Sequence, residues 1–344
     1  VSKQVLDRNL AKKKKKDVTK GEKICESLFT LLLSSADLPS IWRFFSVFWN
    51  NGPQIKPPHD QNILQHIADF LKPESCQAFE EDLSDVDALL IDPLEEMSDT
   101  YFATMKAKLY DANLNQKLRH KIVYSAMHGV GAAFIDQAFG VASLPAVLHV
   151  LEQREPNPDF PTVAFPNPEE GKSSLSLSFA TADDQDAIYI LANDPDADRL
   201  AVAQKLDDGS WKIFNGNEIG ALLGWWQIQT HFKEHGEKYS RCNLYFLAST
   251  VSSKILRSMA SSEGLSFEET LTGFKWLANR AYNLEQDPNK KVLLAYEEAI
   301  GFMCGSQVLD KDGVFAAIRI AELIGFLEDQ GLTLRHQLQD IYDK

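Results

Sequence analysis

The sequence predicts an α/β protein made of successive mixed or mostly parallel sheets. Three strand–loop–helix units follow one another in the last third of the chain, with strands at residues 244–247, 266–268 and 291–296. An earlier apolar strand at residues 188–192 runs into an acidic loop and is followed by a hairpin that turns at Asp208-Gly209. Strands and helices that alternate in this way form sheets covered by helices on both faces.

Composition excludes several classes of protein. The chain is 44% hydrophobic and 24% charged, as in globular proteins, and it has no apolar run of the roughly 20 residues that a membrane span needs. A lysine-rich start without a cleavage site nearby is unlike a secretory signal, so we expect a cytoplasmic location and no membrane partner. The net charge of −14 argues against a nucleic-acid partner. The four cysteines lack CxxC spacing, which argues against a zinc site or a disulfide frame.

The acidic loop is the strongest candidate site. Asp194, Asp196 and Asp198 alternate along it, and Arg199 closes it. Three carboxylates this close repel one another unless a cation lies among them, and dense oxygen ligands favour Mg²⁺. Two alternatives remain open: a solvated acidic turn, and a phosphatase that uses an aspartate as nucleophile. An EF-hand is excluded, because Arg199 and Lys205 occupy the positions that need glycine and glutamate.

Two later loops carry polar groups at predicted strand ends. Thr272, Gly273 and Lys275 offer a hydroxyl, a flexible backbone and an ammonium group. Glu297 and Glu298 place adjacent carboxylates where vicinal sugar hydroxyls could donate hydrogen bonds to them. Since ligands bind at the carboxyl ends of strands in open α/β sheets, the three loops together predict a site for a polar, phosphorylated ligand.

The first third of the chain has weaker signals. Residues 1–23 contain nine Lys or Arg against three acidic residues, which predicts a basic tail. Residues 25–38 have helical character, and residues 48–55 predict a β-hairpin around Asn51-Gly52. A helix is predicted over residues 60–71, followed by an acidic, solvated linker.

Several segments together resemble the α-D-phosphohexomutase superfamily, and within it the phosphoglucomutase-2 (phosphopentomutase) branch and the related glucose 1,6-bisphosphate synthase. They are WNNGPQIKPPHD, YSAMHGVG, NDPDADRLAVAQK, TLTGFKWLANR, EEAIGF and LDKDG, in this order between residues 47 and 344. The resemblance implies four α/β domains around one cleft. It also implies a phosphoserine, bound Mg²⁺, ribose or glucose phosphates as substrates, and a sugar bisphosphate intermediate.

The resemblance assigns roles to individual residues. It implies that Asp194, Asp196 and Asp198 bind Mg²⁺ and that Arg199 contacts the phosphoryl group. The substrate-binding residues that it implies are Arg199, Thr272, Gly273, Glu297, Glu298 and Lys311.

Two family segments are missing. Residues 24–48 contain no Ser-His-Asn-Pro, so none of Ser34, Ser35, Ser40 and Ser46 is assigned as nucleophile, and no Arg-x-Ser-Gly-Thr-Glu-Pro loop follows the third domain. We expect a truncated member with its first domain incomplete and its fourth absent. The expected parts are a basic tail (1–45), a remnant of the first domain with the linker (46–118), a second domain with the metal loop (119–214) and a third with the sugar loops (215–344). The expected function is that of a sugar-phosphate mutase inactive by itself, or alternatively a non-catalytic protein that binds Mg²⁺ and sugar phosphates.

Overall fold

The computed structural model describes residues 28–34, 44–69, 92–171 and 173–344. Those up to Thr100 belong to one compact unit, and residues 101–344 form another. None of the helices within these ranges is long and apolar enough to cross a membrane.

The first unit contains a two-stranded antiparallel sheet. Strand β1 (Leu28–Ser34) pairs with β2 (Phe44–Trp49). The helical character predicted for residues 25–38 is therefore wrong where the structure describes them, because a short apolar run fits a strand as well as a helix once an aromatic partner strand is available.

The hairpin and helix predicted for this unit are both present. Ile55 N–H donates to the Val47 carbonyl across the turn, and α1 covers His59–Asp69. Most of the predicted acidic linker, from residue 70 to residue 91, lies outside the described residues. Helix α2 (Leu94–Ala107) follows it.

The second unit begins with a five-stranded mixed sheet in the order β4-β3-β5-β6-β7. Its strands are β3 (Ile122–Ser125), β4 (Leu148–His149), β5 (Tyr189–Ala192), β6 (Ala201–Lys205) and β7 (Trp211–Phe214). Strands β4, β3 and β5 are parallel, and β6 and β7 continue antiparallel as the predicted hairpin. Every residue of β3 and β5 is buried, as in a central strand covered on both faces.

A four-stranded mixed sheet follows in the order β11-β10-β8-β9. Its strands are β8 (Leu244–Ser249), β9 (Ser266–Thr270), β10 (Lys291–Glu297) and β11 (Gly301–Met303). Strands β9, β8 and β10 are parallel, which confirms the repeated strand–loop–helix pattern. Strand β11 pairs antiparallel with β10 and is not among the strands predicted from the sequence.

Helices cover the two sheets. They are α3 (Ala112–Asn115), α4 (Gly131–Val141), α5 (Ser176–Asp184), α6 (Gly216–His235), α7 (Ile255–Glu263), α8 (Phe274–Leu284), α9 (Gly313–Glu328) and α10 (Leu334–Asp343). Helix α6 starts at a capping box in which the Asn215 side chain accepts from Glu218 N–H and the Glu218 side chain accepts from Asn215 N–H.

Helix α9 is one of the elements that join the two sheets. Nearly all of it is buried, and it contacts α3, α4 and α6, so both sheets share one hydrophobic core. Arg319 and Glu322 form a buried ion pair on this helix at 2.6 Å. The predicted mixed α/β architecture is confirmed, and it fixes the carboxyl ends of β5, β9 and β10 as the places where polar loops emerge.

Candidate metal and sugar-phosphate site

The acidic loop folds as a tight turn between β5 and β6. Ala197 takes a left-handed backbone conformation with φ of 60°, and its N–H donates to the Asp194 carbonyl at 2.9 Å. The Asp194 side chain also caps the turn, because its Oδ1 accepts from Arg199 N–H at 3.0 Å. The side chains at positions 194, 196 and 198 are thereby gathered on one turn.

The three predicted metal ligands form a cluster. One carboxylate oxygen from each of Asp194, Asp196 and Asp198 lies within 4.8 Å of the others. Burial raises the pKa of Asp194 well above its ordinary value, and the charges of Asp198 and Asp196 raise it further. Asp198 Oδ1 is buried and accepts no hydrogen bond from the residues that the structure describes. Three hard oxygen ligands, one of which accepts no hydrogen bond, fit a divalent cation such as Mg²⁺.

Two basic side chains border the cluster. Arg199 Nε lies 3.8 Å from Asp194 Oδ2 and 3.9 Å from Asp198 Oδ1. Lys311 Nζ lies closer, at 2.8 Å from Asp198 Oδ2. Burial lowers the pKa of Lys311, but the nearby Asp198 and Asp310 outweigh it, so its pKa is raised overall. The ammonium therefore keeps its charge at neutral pH.

Lys311 also lies near the loop that contains Thr272 and Gly273, which we call the sugar loop. Its Nζ lies 5.7 Å from the ring centroid of Phe274, the first residue of α8. Gly273 directly precedes this helix, with φ of 109°, a conformation that favours glycine. The structure thus brings Lys311 close to both the acidic loop and the start of the α8 helix.

Glu297 holds the predicted sugar loop in place. Its Oε1 accepts from Gly273 N–H at 2.6 Å, which joins the end of β10 to the loop after β9. Thr272 is exposed beside this bond. Residues 272, 273 and 297, to which the resemblance assigned sugar binding, therefore lie together at the carboxyl ends of the strands of the second sheet.

The neighbouring carboxylate, that of Glu298, contacts the end of β8 and not the sugar loop. Glu298 Oε2 accepts from Ser249 Oγ and Ser252 Oγ, each at 2.9 Å, and Glu298 N–H donates to Ser252 Oγ at 3.1 Å. These two serines are not among the site residues predicted from the sequence. The signal that marks them is the polar run after β8, at a strand end equivalent to those of the other two loops.

The two sheets are joined at the site by their backbones. Arg199 forms an antiparallel bridge with Gly301, and Leu200 N–H donates to the Ile300 carbonyl at 3.0 Å. Gly313 N–H donates to the Ala197 carbonyl at 3.1 Å. The acidic loop is therefore bonded to the β10–β11 turn and to the start of α9.

The glycine-containing loop after β3 packs against the acidic loop. A Cβ on Gly129 would lie 2.2 Å from Pro195 Cα, and Val130 N–H donates to the Pro195 carbonyl at 2.9 Å. Close backbone approach explains the glycine here. His128, in the same loop, makes a 2.8 Å hydrogen bond to Thr162 Oγ1.

Two protein-family models match this chain. Residues 99–208 match the model described as phosphoglucomutase/phosphomannomutase, alpha/beta/alpha domain II, and residues 215–344 match the model for domain III. The chain belongs to the phosphoglucomutase/phosphomannomutase family. The resemblance predicted from the motifs is confirmed.

Similar proteins include mutases of sugar phosphates. The chain is 47% identical over 320 residues to phosphopentomutase from Homo sapiens, covering 93% of this chain and 52% of that protein. It is 44% identical over 300 residues to glucose 1,6-bisphosphate synthase from Homo sapiens, covering 87% of this chain and 48% of that protein. The chain spans about half the length of the curated relatives it matches.

Solved structures share the fold. A putative phosphomannomutase from Thermus thermophilus has a TM-score of 0.67 at 20% identity, covering 90% of this chain and 62% of that one. The Aspergillus fumigatus N-acetylphosphoglucosamine mutase in complex with GlcNAc-6P and magnesium has a TM-score of 0.51 at 12% identity, covering 70% of this chain and 53% of that one.

Proposed function

We propose that this chain binds Mg²⁺ and a sugar phosphate in the manner of a phosphopentose or phosphoglucose mutase. In such a reaction a phosphoryl group moves between positions of one sugar through a bisphosphate. The observation that carries the proposal is the 2.8 Å contact between Lys311 and Asp198, because Lys311 also lies near the start of α8, beside the loop that Glu297 holds.

Asp194, Asp196 and Asp198 would hold the metal ion. Their oxygens lie within 4.8 Å of one another, and their mutual repulsion favours any state in which a cation neutralises them. Bound Mg²⁺ would neutralise charge on the phosphoryl oxygens.

Two cationic side chains would bind phosphate oxygens beside that ion. The Arg199 guanidinium makes only long contacts to the cluster, with Nε 3.8 Å from Asp194 Oδ2, so it is available for a bidentate bond to a phosphoryl group. Lys311 would supply a second positive charge. Glu297 and the Thr272-Gly273 loop would orient the sugar hydroxyls.

Relatives support the choice of ligand. Phosphopentomutase and glucose 1,6-bisphosphate synthase are similar to this chain over most of its length, and the fold neighbour from Aspergillus fumigatus binds GlcNAc-6P and magnesium. Because the sequence has no Ser-His-Asn-Pro segment, we expect ribose 1-phosphate to bind but not to be turned over by this chain alone, even with a sugar bisphosphate primer.

Calorimetric titration tests the proposal. We expect Mg²⁺ to bind the wild type and to bind Asp198→Asn at least about tenfold more weakly, and we expect ribose 1-phosphate or glucose 1-phosphate to bind only when Mg²⁺ is present. Asp208→Asn is a matched control, because Asp208 lies in the exposed turn after β6 and bonds only to Ser210 in this turn.

Three results would contradict the proposal. They are a wild type that gives no Mg²⁺-dependent heat, an equal loss of affinity in Asp208→Asn, and robust mutase turnover by this chain alone. Phosphatase activity that disappears in Asp194→Asn would favour the aspartate-nucleophile alternative instead.

A further inference from the structure

The side-chain amide of Asn193 spans the base of the acidic loop. Asn193 is fully buried and directly precedes Asp194. Its Oδ1 accepts from the Tyr124 hydroxyl on β3 at 2.7 Å, and its Nδ2 donates to the Arg199 carbonyl at 2.5 Å. One side chain therefore connects β3 to both ends of the loop that carries the three aspartates.

The partners fix the orientation of this amide. With the oxygen and nitrogen exchanged, Oδ1 would face the Arg199 carbonyl, and two acceptors would oppose each other without a proton between them. In the observed orientation Tyr124 donates and Arg199 accepts. Asparagine is the residue that satisfies both, because aspartate at this position cannot donate to a carbonyl and alanine reaches neither partner.

Two glycines leave the space that the amide bridge occupies. A Cβ on Gly131 would lie 2.4 Å from the Tyr124 hydroxyl oxygen. A Cβ on Gly313 would lie 2.6 Å from Asn193 Nδ2 and 2.3 Å from the Arg199 carbonyl oxygen. These two glycines come from different parts of the fold, α4 and α9, and both approach the same hydrogen bonds. The hydrogen bonds of Asn193 are thus enclosed by the backbones of α4 and α9, and moving either backbone would disrupt the packing.

We propose that Asn193 is a positioning residue for the divalent-cation site, which rests on the proposed function. By holding the Arg199 carbonyl against β5, its amide fixes the separation of the two loop ends, so that Asp194 and Asp198 face the same point. Residues that hold metal ligands in place without touching the metal typically change metal affinity by about 10- to 100-fold when they are replaced.

Asn193→Ala tests the proposal against a matched variant, Asn115→Ala. Asn115 is also fully buried, and its Nδ2 donates to the Ala142 carbonyl at 2.9 Å, but its partners lie outside the acidic loop. We expect both variants to lower the melting temperature. Only Asn193→Ala should weaken Mg²⁺ binding in calorimetry, by about tenfold or more. Wild-type Mg²⁺ affinity in Asn193→Ala would overturn the proposal.

A second variant decides the question if Asn193→Ala fails to fold. Tyr124→Phe removes one hydroxyl and keeps the ring, so the fold is retained while Asn193 Oδ1 loses its donor. We expect Mg²⁺ to bind Tyr124→Phe several-fold more weakly than the wild type. Unchanged affinity would count against the amide bridge.

Hydrogen exchange separates this proposal from the metal assignment itself. Ala197 and Arg199 N–H both donate within the loop, to the Asp194 carbonyl and to Asp194 Oδ1. Without Mg²⁺, their exchange should be faster in Asn193→Ala, or in Tyr124→Phe, than in the wild type and in Asn115→Ala. If the wild type binds no Mg²⁺, the proposed function fails, and equal exchange rates would additionally show that Asn193 does not order the loop.

Discussion

Lys311 Nζ lies 2.8 Å from Asp198 Oδ2, so an ammonium from the second sheet's β11–α9 loop touches a carboxylate of the first sheet's acidic loop. The ion pair is largely shielded, with Lys311 19% and Asp198 30% exposed in their side chains. A cation bound by the three aspartates would share Asp198 with this ammonium. Lys311 would therefore affect a bound metal ion and a bound phosphate in opposite directions.

We expect Lys311→Met to bind Mg²⁺ more tightly and sugar phosphates more weakly. Removing a positive charge next to Asp198 removes its repulsion of the metal ion, which is worth about tenfold in affinity or more at this range, while the phosphate loses a cationic partner. Calorimetry with Mg²⁺, then with ribose 1-phosphate at saturating Mg²⁺, measures both changes. Lys205→Met, which removes the surface pair with Asp183, is the control and should change neither. A shift of both affinities in the same direction would refute this role.

Glu297 should affect the sugar and not the metal. In Glu297→Ala the Gly273 N–H loses its acceptor, so the sugar loop is no longer held and sugar-phosphate affinity should fall by about tenfold or more, with Mg²⁺ affinity unchanged. Glu297→Gln keeps an acceptor for Gly273 and should lose less. Calorimetry on both variants measures this order, and equal losses would argue that the charge, and not the loop, decides binding.

Gly313 tests how closely α9 and the acidic loop are packed. In Gly313→Ala the new Cβ would lie 2.3 Å from the Arg199 carbonyl oxygen and 2.7 Å from the Ala197 carbonyl oxygen, so we expect the free energy of unfolding to fall by about 1–3 kcal/mol. In Gly325→Ala, in the same helix, the atoms nearest to the new Cβ would lie 3.9 Å away. The free energy of unfolding should therefore stay unchanged or rise by up to about 1 kcal/mol. Urea unfolding compares the two, and similar stabilities would contradict the close approach.

We expect Asp312 to make the stability of the protein depend on pH. Its side chain caps α9 through Phe315 N–H at 2.8 Å and accepts from the Tyr101 hydroxyl at 2.9 Å, and burial raises its pKa to about 6. Because this pKa is higher in the folded than in the unfolded state, the group stabilises the fold most below about pH 4, and this contribution is lost as pH rises through about 6. We expect the loss in the free energy of unfolding to be about 3 kcal/mol.

Asp312→Asn should remove that dependence while keeping the cap, because asparagine caps helices as well as aspartate does. Urea unfolding at pH 4.5 and pH 7.5 is the measurement. The control is Asp111→Asn, at the N-terminus of α3. The hydrogen bond from Lys233 lowers the pKa of Asp111, so its contribution has the opposite sign and is lost as pH falls. Parallel pH profiles for the wild type and Asp312→Asn would contradict the assignment.

Long periodic elements were predictable from the sequence. Helix α9 was predictable as the helix of the last strand–loop–helix unit, because it is long and mostly apolar, with Arg319 and Glu322 paired within it. Short elements were not. Strand β11 has three residues and exists because it pairs with β10, a long-range contact that no local pattern encodes. The same reason explains β1, where the apolar run alone favoured a helix.

The candidate site also has parts that the sequence predicts and parts that it does not. The chemistry of Asp194, Asp196 and Asp198 is visible in the sequence as carboxylates at alternate positions after an apolar strand. The role of Asn193 is not, because it depends on the Tyr124 hydroxyl, which lies 69 positions earlier in the chain. Likewise, the adjacent Glu297 and Glu298 look equivalent in sequence, but one bonds to Gly273 and the other to two serines.

The bridge between Arg199 and Gly301 has a mechanical consequence. Any motion that opens the site by separating the two sheets must first break the hydrogen bonds from Leu200 to Ile300 and from Gly313 to Ala197. Separation of the two sheets therefore breaks main-chain hydrogen bonds of the acidic loop. A ligand that tightens the acidic loop should also slow the opening of the sheets, so the exchange rates of the Leu200 and Gly313 amides would report ligand occupancy.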